Sequence, residues 1–221
     1  MESKKYLIVT SDGPGTLLEG KDVLHRSIAR FVSVFPDIKV IIVLPSAAIS
    51  AWREYCMLHN FNHPQTVVPA GFTAFHSIRK ALEKVPSGSL VVIHDGARPL
   101  VSEALVRRLF TLCRERDAGI VPVVPADGSV KRIPEGAAPE DVCLGERLSV
   151  AQLPQAFPSD AIREAYAQPY DTTFTDPASV AAAHKKPLFA IAGERYNIRV
   201  TDPEDLAVAR ALLKESTGGY K

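Results

Sequence analysis

This chain has few cysteines, no excess of either charge and no long apolar run. Its 221 residues hold three cysteines, Cys56, Cys113 and Cys143. They are odd in number, far apart and match no metal-ligand spacing, so they read as reduced thiols rather than a disulfide framework or a zinc site. A formal net charge of +1 excludes the bulk field of a nucleic-acid binder, and any basic site must be local. No stretch is apolar over the roughly 18 residues that mark a membrane span. At the N-terminus, Lys4-Lys5 precedes only the short run Tyr6 to Val9, which is not the pattern of a secretory signal. A cytoplasmic protein without membrane or nucleic-acid partners is expected. There is also no nucleophile elbow, no His-Glu-x-x-His and no Walker A lysine, which argues against covalent catalysis and structural zinc.

What is present alternates. Apolar β-formers at Tyr6–Val9, Lys39–Leu44, Gln65–Val68, residues 90–93 and Gly119–Val124 are separated by segments of helical spacing. Those segments are Val23 to Phe35, Ser50 to Leu58, Ala74 to Val85 and Ser102 to Arg116. Repeated β-α units imply an α/β fold with a mostly parallel sheet, right-handed crossovers and helices on both faces. The pattern breaks at Pro125. Residues 125–150, with Asp127-Gly128, Pro134, Gly136, Pro139 and Gly145, read as a protruding β-arm. Regular order returns with a helix capped by Ser159, one opened by Thr175-Asp176, a strand at Leu188–Ala192 and a last helix capped by Asp202 with Pro203 at its first position. A single domain over 1–221 is expected.

The run Val91-Val92-Ile93-His94-Asp95-Gly96-Ala97-Arg98-Pro99 carries the most chemistry. A strand buried on both faces enters a Gly-containing turn, which places Asp95 and Arg98 at a strand's carboxyl end, where open α/β sheets bind ligands. Asp95 suits a metal or a substrate hydroxyl, and Arg98 suits phosphate oxygens. Equally, Asp95 capping a helix and pairing with Arg98 would account for both. Gly13 and Gly15 follow the first strand as a weak phosphate cradle, because Pro14 removes an N–H donor. Gly71 and Ser77 follow the third strand and suit close approach of a base or ribose. Arg147 is the best placed basic residue of the arm. Arg199 alternates with Ile198 and Val200 on what reads as a strand leading into the last helix, and so is aimed away from their side.

Four segments together carry a family resemblance. They are His94–Pro99 (HDGARP), Gly145–Phe157 (G-x-R-L-x-x-A-Q-x-P-Q-x-F), Thr175-Asp176 and Asn197–Leu206 (NIRVT-x-PEDL). In order and spacing they resemble the 2-C-methyl-D-erythritol 4-phosphate cytidylyltransferases of non-mevalonate isoprenoid biosynthesis, to which ribitol-phosphate cytidylyltransferases are close. The resemblance implies a Rossmann-like sheet, a homodimer formed by exchange of the arm, and CTP with a sugar-alcohol phosphate as substrates under magnesium. It implies that Asp95 and Arg98 contact the sugar phosphate, with Asp95 also supporting the metal. Arg147 would reach the partner subunit's site, and Thr175 and Asp176 would line the same pocket. Gly71 and Ser77 would contact the cytidine, Gly13 and Gly15 the nucleotide. Arg199 would be the catalytic cation near the α-phosphate, where the family usually has Lys.

The chain departs from this pattern on the nucleotide side. The family's loop after the first strand, roughly A-A-G-x-G-x-R-M-G then P-K-Q, is here reduced to Ser11-Asp12-Gly13-Pro14-Gly15-Thr16. Both of its cations are absent, and Ala74 stands where the family's G-G-x-x-R has Arg. Lys21 aligns with a lysine beyond the loop. Two functions follow as expectations. One is a working cytidylyltransferase with an altered loop. The other is a catalytically impaired homologue that keeps fold and dimer and acts by binding.

Overall fold

The computed structural model describes residues 3–126 and 148–217. The expected arm, with Arg147, Lys131, Arg132 and Cys143, therefore lies outside the described residues apart from its two ends. Four parallel strands form one half of the main sheet. They are β1 (Lys5–Thr10), β4 (Lys39–Leu44), β5 (Gln65–Pro69) and β6 (Leu90–Asp95), in spatial order β6-β1-β4-β5. The registers Val9↔His94 and Thr10↔Asp95 align the carboxyl ends of β1 and β6. The other half adds β7 (Gly119–Pro125), β8 (Ser149–Ala151), β9 (Gln155–Pro158) and β10 (Leu188–Ala192). Here β9 runs antiparallel between β6 and β7, while β10 runs parallel to β7 along the edge. A two-stranded hairpin, β2 (Leu17–Leu18) with β3 (Lys21–Asp22), precedes the first helix.

Helices cover both faces because alternate strand residues point to opposite sides. Leu7 and Val9 of β1 pack in one core with Leu24, Ile28 and Phe31 of α1 (Val23–Val34), Trp52 of α2 (Ile49–Leu58) and Leu105 and Leu109 of α4 (Glu103–Arg116). Ile8, between them in sequence, belongs to the opposite core with Phe75 and Ile78 of α3 (Ala74–Leu82), Ile162 of α5 (Ser159–Ala165) and Val180 of α6 (Pro177–Ala183). A third, small core joins Leu18 and Val23 to Val200 and to Ala209 and Leu213 of α7 (Pro203–Thr217).

The sequence pattern misplaces three details. The spacing over Ser50 to Leu58 gives Trp52, Tyr55 and Cys56 as an inner face, yet of these only Trp52 is buried. Ser159 is not a cap: Pro158 holds that position, and the Ser159 hydroxyl donates to the Pro86 carbonyl at 3.0 Å while accepting the Ser89 N–H. Residues 197–200 form no strand. They run as a loop because Val200 N–H bonds back to the Ala97 carbonyl at 2.8 Å instead of to a ladder.

Candidate active site

A cleft of about 920 Å³ opens at the carboxyl ends of β1, β4 and β6, the position expected of a ligand site in an open α/β sheet. Its floor is Thr10, Val43 and Asp95–Ala97. One wall is the turn Ser11–Gly13 with Asp22–Leu24 at the start of α1, and the other is the turn Ala70–Ala74 leading into α3. Leu153, Thr175 and Arg199 close the far side.

The floor is held by backbone contacts that allow almost no side chain at Gly96. Its N–H donates to the Thr10 carbonyl at 2.8 Å, and its carbonyl accepts from the Ser27 hydroxyl at 2.7 Å. A Cβ there would lie 2.8 Å from Leu24 Cδ1. Two residues on, the guanidinium of Arg98 donates to the Asn197 carbonyl at 2.7 Å. Its Nε sits 3.8 Å from Asp95 Oδ2, an ion-pair distance too long for a hydrogen bond. Burial pulls the Arg98 pKa down, Asp95 opposes that shift, and the neighbouring Arg199 adds to it. Arg199 Nε donates to the same Asp95 Oδ2 at 2.8 Å, while Oδ1 accepts the Ala97 N–H at 2.9 Å. Two arginines thus share one carboxylate. Arg199 keeps 53% of its side chain exposed toward the cleft.

His94, fully buried beneath this turn, bonds through Nε2 to the Arg98 carbonyl at 3.1 Å. A carbonyl only accepts, so Nε2 carries the proton. Burial lowers the His94 pKa to about 4, so the ring is neutral, and Nδ1 has no hydrogen-bond partner among the described residues. Asn197, also fully buried, donates from its amide to the Leu153 carbonyl at 2.7 Å. Glu194 ties in further: it accepts from the Ser102 hydroxyl and N–H, and its own backbone exchanges hydrogen bonds with the Gln152 side chain. Asn197, Gln152 and Glu194 therefore fix the loop that carries Arg199. Sequence reasoning passed over them because a buried amide looks like any other Asn or Gln until its partners are known.

The opposite wall is built differently. The Gly13 N–H donates to Ser11 Oγ at 3.1 Å, and the Gly15 N–H donates to Asp22 Oδ2 at 2.7 Å. Asp22 also caps α1 through Leu24 N–H. Burial raises the Asp22 pKa against these hydrogen bonds. Asp22's N–H donates to Tyr55 Oη, which contacts His25 Nδ1 at 3.0 Å, and His25 is pushed to about 4, chiefly by burial. The turn's glycine N–H groups are thus engaged within the chain, and Gly15 does not line the cleft while Gly13 does. The short carboxylate latch at Asp22 could have been read from an Asp one residue before a helical pattern.

The remaining sequence-derived residues divide. Gly71, Ser77 and Thr175 line the cleft, although Ser77 Oγ accepts the Gly71 N–H at 2.9 Å. Asp176 does not line it. Its carboxylate accepts from Ser179 N–H at 2.7 Å as the cap of α6 and from Gln155 Nε2 at 2.7 Å. For a metal, no group of three His, Cys, Asp or Glu gathers among the described residues, so there is no protein-built cage. Magnesium bridging a substrate's own phosphates needs only one or two carboxylates. Asp95 faces the cleft with a lone pair to spare on each oxygen, which fits that mode.

Comparison with known proteins agrees with this architecture. The family described as 2-C-methyl-D-erythritol 4-phosphate cytidylyltransferase matches residues 15–215. The Bacteroides fragilis protein of that name is 37% identical over 88% of this chain and 87% of its own length. The one from Porphyromonas gingivalis is 36% identical over 96% and 99%. The crystal structure of 4-diphosphocytidyl-2C-methyl-D-erythritol synthase from Anaerococcus prevotii superimposes with a TM-score of 0.82 at 23% identity, over 96% of this chain and 99% of that one, and so shares the fold. These relatives carry the enzyme's name, which does not favour the impaired-homologue reading. With the cleft at the sheet's carboxyl edge, the paired arginines on Asp95 and a match running from the first turn into the last helix, the chain belongs to the 2-C-methyl-D-erythritol 4-phosphate cytidylyltransferase family.

Proposed function

We propose that this chain transfers the cytidylyl group of CTP to 2-C-methyl-D-erythritol 4-phosphate. The methylerythritol phosphate oxygen attacks the α-phosphorus in line, the bond to the bridging oxygen breaks, and pyrophosphate leaves. The observation that carries the reading is the convergence of Arg98 and Arg199 on Asp95 at the cleft floor. Phosphoryl chemistry of this kind needs positioning and charge stabilisation more than covalent help. Arg199, half exposed and held by one hydrogen bond, is placed to swing from Asp95 onto a phosphate. Arg98, expected to contact the sugar phosphate, does not line the cleft; pinned to the Asn197 carbonyl, it holds Asp95 from behind. Asp95 keeps the two cations from repelling each other and offers an oxygen to magnesium, which when bound would neutralise triphosphate charge.

In this reading the chain forms one cytoplasmic domain whose arm at about 125–150 exchanges across a homodimer and brings Arg147 to the partner's cleft. No helix among the described residues is long and apolar enough to cross a membrane. Purified protein incubated with CTP, methylerythritol phosphate and magnesium should release pyrophosphate. Absence of release with CTP, together with release from another nucleotide or sugar phosphate, would replace the substrates named here.

A further inference from the structure

The cleft separates charge from apolar surface, and one residue on its apolar side stands out. Asp12, Asp22, Asp95 and Arg199 line the side near β1 and β6, whereas the wall leading into α3 contributes Pro45, Ala70, Gly71, Phe72, Thr73 and Ala74, none of them charged. Arg199 gives the first side its one cation for a phosphate, and the second side suits an uncharged planar base. At the rim of the second, Phe72 is 101% exposed. A phenylalanine in contact with a cleft and wholly in water has apolar area available to a ligand.

The turn that presents it is fixed on both sides. Ala70 N–H bonds to the Leu44 carbonyl at 2.8 Å, Gly71 N–H to Ser77 Oγ at 2.9 Å, and Thr73 caps α3 by accepting from His76 N–H. A Cβ at position 71 would lie 2.6 Å from His76 Cβ, so the glycine lets the turn fold tightly against α3 and leaves Phe72 pointing outward. A second aromatic layer stands behind: His76 packs against Phe72 at 6.5 Å and against Tyr170 at 5.4 Å.

We propose that Phe72 is the platform on which the nucleotide base stacks, an affinity determinant for the nucleotide that does not choose between bases. That the base is cytosine rests on the cytidylyltransferase reading, while the stacking does not. Every base has a π-face, so stacking is tolerant of sequence. Choice between bases must then come from hydrogen bonds elsewhere in the cleft.

The test uses the full-length protein with Phe72→Ala, Phe72→Leu and Phe72→Trp. Because the side chain is fully exposed, these changes leave the fold intact. Phe72→Ala and Phe72→Leu should each raise KM for CTP by about tenfold with kcat nearly unchanged, while Phe72→Trp keeps the wild-type KM. The ratio of CTP to UTP efficiency should stay the same in all three. The Phe72→Trp emission should be quenched on titration with CTP in a chain whose own Trp52 is buried. KM for CTP unchanged in Phe72→Ala would overturn the proposal, as would a change in oligomer size, which would assign Phe72 to a contact between copies. Should wild type fail to turn over CTP, the cytidylyltransferase reading fails. Quenching of Phe72→Trp by cytidine, uridine and adenosine nucleotides then still decides the stacking, and no quenching by any of them ends it.

Discussion

The end of β6 and the turn after β1 are neighbours, joined by the Gly96 N–H to the Thr10 carbonyl at 2.8 Å, and they handle charge in opposite ways. The end of β6 gathers Arg98 and Arg199 around Asp95, over a buried His94 and a buried Asn197. The turn after β1 presents exposed Asp12 and commits two glycine N–H groups to Ser11 and Asp22. The first region has one half-exposed cation, Arg199, to lend a ligand. The second has already used its donors to hold its own shape. The difference teaches that a site can lose contacts on one side while the scaffold stays intact, because the cores under both regions are separate from the groups that face the cleft.

The largest expected effect tests whether phosphate handling belongs to the β6 side. Arg199→Ala should lower kcat for pyrophosphate release by about 10²–10³-fold, the scale of losing one group that stabilises transition-state charge, and Arg199→Lys should recover much of it by keeping the charge. A loss below about tenfold would move that work to the turn and break the comparison.

Next in size is acid sensitivity. His94 has a folded pKa of about 4, below the ordinary value of 6.5. Between pH 6.5 and 4 the unfolded chain binds a proton that the folded one refuses, so stability falls as pH falls through that window and is flat above it. The contribution from His94 is on the order of 3 kcal/mol. Urea denaturation at pH 7 and pH 5 reads about 2 kcal/mol of it, and His94→Gln should flatten the slope. His25 adds in the same direction from the turn side.

Asp22→Ala removes a helix cap and the hold on Gly15 together. It should destabilise by about 1–2 kcal/mol, a fall in Tm of roughly 3–6 °C, read by calorimetry. The smallest effect sharpens the contrast. Asp12→Asn removes an exposed like charge from the cleft and should lower KM for CTP by about twofold. A larger drop would make Asp12 a brake on nucleotide binding.

Much of this was legible in advance, for definable reasons. The parallel strands announce themselves through unbroken runs such as Val91-Val92-Ile93, because a strand covered on both faces needs no polar alternation. The position of Asp95 and Arg98 at the end of β6 was legible because Gly96 and Pro99 stop the apolar run there. β9 was hidden, since Gln155-Ala156-Phe157-Pro158 is short and begins with a polar residue; Gln155 is buried because it bonds Asp176 and the Ala178 N–H. Asp176 read as a pocket residue but serves as a cap, since an Asp before Pro satisfies either role until its acceptors are located. Arg199 was placed on a strand by its alternation with Ile198 and Val200, yet Asn197 and Glu194 hold a loop there. Phe72 carried no signal, because an isolated Phe in a sequence reads as core.

The antiparallel placement of β9 has a consequence for how the chain is made. β6 is complete at Asp95, but the strand that covers its free edge ends at Pro158 and reaches it only after β7, which lies on the far side, has been synthesised. At a growth rate of about 5–20 residues per second, the edge of β6 waits roughly 3–13 s for its neighbour. During that interval it is an unpaired strand border, apolar from Leu90 to Ile93, the kind that recruits other chains. β7 has no strand linking it to β6 until β9 arrives, so nascent chains stopped short of residue 155 should carry a sheet of four strands with β7 joined to it only through α4. Protection of the newborn protein is needed most while the ribosome is translating the segment from the end of β6 to the end of β9.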